Sequence, residues 1–197
     1  MKTLIACLLL VFASSSAAAA DESDTGAPTG IPIEKIIASV SHKTNRKFVV
    51  DPRVVARVNL VGQEPSQVTY NELLTILQLH GYVTFESDGY VVVMPDANSR
   101  QVPQPMLTKG QTYADAQIVN YTIQIQNGPA AFLVPILRPL LPQYAQLAAW
   151  PCSNALLITD RYANVKRIEA IVRALDVGTP YKAEKCEGPT PGKRSDS

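Results

Sequence analysis

Between residues 97 and 116 the apolar periodicity that runs through most of this chain lapses, and Pro103, Pro105, Lys109 and Gly110 fall in the gap. The lapse cuts the foldable sequence into two stretches of roughly 60 residues, a size at which a unit buries only about 60% of its unfolded surface. Each stretch must therefore close a small core of its own. A connection of this composition reads as a linker, residues 97–116, long enough to let the two units reorient.

The first unit spans 31–96. Ile33, Ile36, Ile37 and Val40 recur at helical spacing, and Pro32 suits the first turn of that helix. Residues 47–50 and 58–61 read as short strands. Thr69, with Glu72 three residues on, is a capping box that opens a second helix. Leu73, Leu74, Ile76 and Leu77 form its buried stripe, and Gly81 suits its stop. Residues 82–86 and 90–94 are rich in β-branched and aromatic side chains, and Asp88-Gly89 between them is a hairpin turn. The order is helix, strand, strand, helix, hairpin.

The second unit spans 117–177. Val119, Tyr121, Ile123 and Ile125 alternate on one side of a strand. Asn127-Gly128-Pro129 turns the chain into a helix carrying Phe132, Leu133, Ile136, Leu137 and Leu140. Pro135 lies inside that pattern and should kink it, at a cost of order 3 kcal/mol unless packing compensates. Residues 147–150 and 155–159 read as two further strands. Asp160 is the expected N-cap of a last helix whose Val165, Ile168, Val172 and Leu175 face a core. The order is βαββα, so the fold class is α+β with two small mixed-sheet domains.

At the N-terminus, Lys2, an apolar run over 4–12 and Ala18-Ala19-Ala20 before Asp21 fit a signal peptide, residues 1–20, cleaved after Ala20. The run is too short for a bilayer, which needs about 20 residues. Segment 21–30 reads as flexible, and the tail 178–197 as disordered. The chain has 18 basic and 17 acidic residues, and loss of Lys2 makes them equal. A neutral secreted chain has no general pull toward nucleic acid or anionic lipid. Cys7 leaves with the signal, so Cys152 and Cys186 remain as an even pair, which in an oxidising compartment invites a disulfide. Such a bridge contributes about 3–4 kcal/mol. The alternative is two free thiols, one of them pairing with another molecule.

The run Lys47-Phe48-Val49-Val50-Asp51-Pro52-Arg53-Val54, followed by Val58-Asn59-Leu60-Val61 and by Leu77-Gln78-Leu79-His80-Gly81-Tyr82, resembles the N0 domain of type II secretion secretins. Leu133-Val134-Pro135-Ile136-Leu137-Arg138-Pro139-Leu140, Ser153-Asn154-Ala155-Leu156-Leu157-Ile158-Thr159-Asp160-Arg161 and Asn164-Val165-Lys166-Arg167-Ile168 resemble the secretin N1 domain. The shared order of these motifs over both units carries the resemblance. It implies an N0 fold, a KH-related N1 fold, a periplasmic location and partners among secretion proteins. These are the secretin ring or an inner-membrane clamp protein, with self-association of the chain also compatible. Two departures stand out. Residues 21–30 do not read as the strand that precedes the first N0 helix, and no further N1-like repeat or barrel follows, so channel formation is not expected. A TonB-receptor-type signalling module, or a truncated or split secretin, is the alternative.

No catalytic constellation supports an enzyme, and no cofactor or metal is expected: His42 and His80 stand in no metal or nucleophile spacing. Asp51 before Pro52 reads as a turn organiser, and Cys152 has no basic neighbours to activate it. The second unit also lacks the GXXG loop of a nucleic-acid-binding KH domain. Recognition is left to surfaces. Edge strands with unpaired main-chain groups accept partner strands. The candidates are 82–94 and 118–125, with Tyr82, Phe85, Tyr90, Val92, Val119, Tyr121 and Ile123 as contact residues, unless these strands are internal or covered by the tail. Tyr113 and Tyr144 are further amphipathic candidates.

Overall fold

The computed structural model describes residues 29–183 and 186, so the expected signal peptide and its cleavage at Ala20 lie outside the described residues. The first module is built from β1 (Ile31–Pro32), α1 (Ile33–Thr44), β2 (Lys47–Val50), β3 (Arg57–Val58), α2 (Tyr70–Leu79), β4 (Tyr82–Ser87) and β5 (Tyr90–Pro95). Its main sheet has the order β2-β5-β4, with β2 parallel and β4 antiparallel to the central β5. Local signals explain the elements. Glu72 N–H donates to Thr69 Oγ1 (3.3 Å) while Thr69 N–H donates to Glu72 Oε2 (2.7 Å), closing the expected capping box. Asp88 (φ 50°) and Gly89 (φ 79°) both take the left-handed conformation that a tight hairpin turn requires. Ile33, Ile36 and Val40 of α1 meet Leu73 and Leu77 of α2 over Phe48, Val50 and Val93 on one face of the sheet.

Two expectations for this module are corrected. A strand does precede the first helix: Ile31 and Pro32 pair antiparallel with Val58 and Arg57. Pro32 is thus the residue before the helix, not part of its first turn. The pairing escapes pattern reading because two residues show no alternation. The second strand is also shorter than 58–61: it ends at Val58, and Val61 lies in solvent.

The second module comprises β6 (Ile118–Gln124), α3 (Leu133–Leu137), β7 (Gln146–Trp150), β8 (Ala155–Arg161) and α4 (Tyr162–Leu175). The sheet order is β6-β8-β7, all antiparallel. Leu137, Val165, Ile168 and Val172 pack on Val119, Ile123, Leu156 and Ile158. Pro135 breaks its helix to a five-residue α segment flanked by 3₁₀ turns Ala130–Phe132 and Arg138–Leu140. Asp160 is not the cap of α4: Arg161 holds the N-cap position without a side-chain cap bond. Asp160 is instead fully buried, accepting from Arg161 N–H (2.7 Å) and from the Asn164 amide.

The buried clusters of the two modules share no residue. The segment between them is ordered by main-chain bonds that hydrophobic periodicity cannot register. Asn120 N–H donates to Pro105 O (2.8 Å), Leu107 N–H donates to Asn120 O (2.7 Å), and the Asn120 amide donates to Gln104 O (3.1 Å). Residues 105–107 thereby run parallel along the outer edge of β6. The start of the tail is also held. Asp176 accepts from Gln126 N–H (2.8 Å) and Asn127 N–H (2.6 Å), and Tyr181 N–H donates to Gln126 O (2.8 Å). Cys152 and Cys186 are joined, with Cα atoms 5.2 Å apart. Residues 184–185 and 187–197 of the expected disordered tail lie outside the described residues.

Candidate interaction surfaces

In the first module both helices cover one face of the sheet, and the pairing register assigns each strand residue to a side. Val92 pairs with Val49 on β2 and with Phe85 on β4, and Tyr90 pairs with Lys47. Val49, Phe85, Tyr90 and Val92 therefore stand together on the side away from the helices. Val49 and Tyr90 are exposed (48% and 42%), while Phe85 and Val92 are half-buried. Lys47 lies over the Tyr90 ring, its Nζ 5.9 Å from the centroid. Lower on this side, the 3₁₀ turn Asp96–Gln101 packs against β4, and Val83 is buried. An open apolar patch with one basic neighbour is what remains.

The structure brings three of the seven expected contact residues, Phe85, Tyr90 and Val92, onto that patch. Tyr82 faces the opposite way into the core, and its hydroxyl accepts from Val55 N–H and donates to Val55 O, both at 3.0 Å. Val119 and Ile123 are also core residues, and Tyr121 is half-buried and donates to Glu169 Oε1 on α4 (2.8 Å). These four are corrected from contact residues to structural ones. The alternation on β6 was readable, but not which side α4 would cover. Tyr113 stacks edge-on to Tyr162 with centroids 6.0 Å apart, a packing role.

The second module carries apolar exposure that sequence reasoning missed. Phe132, Ile136 and Leu140 step by four residues along the proline-broken helix and point outward. Phe132 is 70% and Ile136 57% exposed, whereas Leu137 is fully buried. Trp150 and Leu157 are exposed as well, on the sheet side away from the helices. The four-residue spacing was the available signal. It merged with Leu133 and Leu137 into one apolar helix, so the outer stripe could not be separated from the inner one.

At the junction of the modules Arg161 is buried, its side chain only 5% exposed. Its Nε donates to Tyr144 Oη (2.8 Å), Nη1 to Ala116 O (2.8 Å) and Nη2 to Tyr82 O (3.3 Å), with Asp96 Oδ2 3.8 Å away. Burial pushes the carboxyl of Asp160 up, against the bonds from Asn164 and Arg161 that favour its charged form. Burial raises Asp96 too, opposed by Arg161. A 420 Å³ cavity lies beside this cluster, lined by Gln78 from the first module and by Tyr144, Asp160, Arg161, Asn164 and Arg167 among others. Elsewhere, Asp51 accepts from Arg53 N–H (2.9 Å), Nε (2.9 Å) and Nη2 (2.8 Å), the turn-organising role expected of it. These bonds lower its pKa from 3.8 to about 2. Among the described residues, no three His, Cys, Asp or Glu side chains converge as a metal site, and no helix is long and apolar enough to cross a membrane.

Residues 29–93 match the family described as the GspD-like N0 domain, and residues 120–180 match the bacterial type II/III secretion system short domain. The chain is 35% identical over 146 residues to secretin XcpQ of Pseudomonas aeruginosa, covering 73% of this chain and 21% of XcpQ. It is 25% identical over 174 residues to secretin PulD of Klebsiella pneumoniae, covering 85% of this chain and 26% of PulD. Among solved structures it resembles the Klebsiella pneumoniae type II secretion system outer membrane complex of PulD, PulS and the PulC HR domain. The TM-score there is 0.61 at 25% identity, over 75% of this chain and 26% of that one. The chain thus spans about a fifth to a quarter of the length of these relatives.

Proposed function

We propose, from the premise that this chain belongs to the type II secretion secretins and carries their N0 and short N-terminal domains, that it is a non-catalytic docking component of such an apparatus in the periplasm. The observation that carries the reading is the open apolar face of Val49, Phe85, Tyr90 and Val92 on a sheet whose other side is already filled. Complete burial of a side chain such as Val or Phe contributes about 1.5–3 kcal/mol, and these residues leave much of that to be gained against a partner. The Phe132, Ile136 and Leu140 stripe offers a second contact on the other module. PulD shares its complex with PulS and the PulC HR domain. By that likeness, a PulC-like protein or the secretin ring itself is the partner class.

A photo-crosslinking amino acid at Tyr90 or at Ile136, in cells carrying the secretion apparatus, is expected to give adducts with secretion proteins. The same group at Val61, which is exposed but lies outside both patches, is expected to give none. Absence of adducts from both patches, or equal labelling from all three positions, would sink the reading.

A further inference from the structure

Among the described residues, the buried clusters of the two modules share no residue. Units joined through a small polar interface are expected to move relative to each other. One residue opposes that. Arg161 sits at the end of β8, and its guanidinium offers five N–H donors in a rigid, positively charged fork. Burying such a cation is costly unless it is paired and hydrogen-bonded. Two of its partners, Tyr144 Oη and Ala116 O, belong to its own module and the segment leading into it. The other two, Tyr82 O and the Asp96 carboxylate, lie across the junction.

Those two partners are themselves fixed. Tyr82 opens β4 and pairs with Pro95 at the end of β5, and Asp96 N–H donates to Gly81 O (2.9 Å). Among the described residues, Asp96 holds the one carboxylate within 4.0 Å of the Arg161 guanidinium. The guanidinium therefore makes this direct ion pair only when the first module sits in this one placement, while the buried Asp160 of its own module acts on its charge from further off. We infer that Arg161 is an inter-module latch, which presets the mutual orientation of the two modules in the free chain. The likeness to PulD in its outer membrane complex, with a TM-score of 0.61 over 75% of the chain, extends over residues of both modules. On this account the chain meets its partners already set, with its two apolar patches at a fixed separation.

The test is ¹⁵N relaxation of the full secreted chain, which reports a rotational correlation time for each module. The unmodified chain is expected to give one shared time. R161Q removes the charge and the fork, and R161K keeps the charge but cannot reach Tyr144, Ala116 and Tyr82 together. In both, the two times are expected to diverge and shorten while core amides such as Leu73 and Ile158 keep their chemical shifts. Should R161Q unfold the second module, D96N decides the matter. It changes a partly exposed residue of the other module and leaves the bonds to Tyr144 and Ala116 in place. Diverging times in D96N support the latch. Separate times in the unmodified chain, or one shared time persisting in every folded variant, would overturn it. No partner is present in the measurement, so its failure is distinct from failure of the docking reading.

Discussion

Replacing both Cys152 and Cys186 by Ser tests how far the second module depends on its crosslink. The bond joins residues 34 apart, and the loop between them contains β8 and α4. For a loop of this length the chain-entropy relation gives about 4 kcal/mol at 25 °C. The folded side of the balance changes little on substitution, because Cys186 is exposed and Cys152 only half-buried. Total stabilities of small domains start near 5 kcal/mol, so the loss removes most of what a unit this size holds. With a urea slope of about 1 kcal/mol per molar, at the low end for small proteins, the unfolding midpoint should fall by several molar. Trp150, the one tryptophan of the chain, lies two residues from Cys152 and reports on this module by fluorescence. The Tyr181 amide should also lose its exchange protection once the tail is no longer held against Gln126. A midpoint lowered by less than about 1 M at unchanged slope would refute the reasoning, and with it the role of the bond as a constraint on the unfolded chain.

Two contrasts follow from the burial and ionisation of single residues. Ile123→Ala empties a core site and should cost about 2–5 kcal/mol, whereas Tyr90→Ala on the open face should stay within about 0.5 kcal/mol; urea unfolding separates them, and equal losses would place Tyr90 in a core. Asp51 has a folded pKa of about 2 against an ordinary 3.8, so its contribution to stability is present above pH 4 and is lost as pH falls from about 4 to 2. Asp51→Asn should flatten that limb of a melting-temperature profile, and an unchanged acid limb would show that the Arg53 contacts do not hold in solution.

The signals that proved readable are those whose physics closes within a few residues. Thr69 and Glu72 satisfy each other's amides three residues apart, and Asp88-Gly89 supplies the two positive φ angles of its turn. Pro135 can only interrupt the helix in which it lies. Alternation put Val119, Tyr121 and Ile123 on one side of β6, and helical spacing collected Phe132, Leu133, Ile136, Leu137 and Leu140 into one helix. The first pattern gave membership of a face and the second only membership of a helix, and neither said which side would be covered. The strand at Ile31–Pro32 and the pairing of residues 105–107 left no trace, because both are main-chain bonds to partners far along the chain.

Sequence alone determined the two-unit division, the order and type of most elements, the capping and turn chemistry, and the cysteine pair available for bonding. Tertiary structure alone decided that Tyr82, Val119 and Ile123 go inward while Tyr90 and Ile136 go outward. It also turned Asp160 from a helix cap into a buried carboxylate, and gave Arg161 partners in both modules. The reason is one of range. Propensity, capping and turn geometry are properties of neighbouring residues, whereas burial and charge pairing depend on which distant surface arrives opposite.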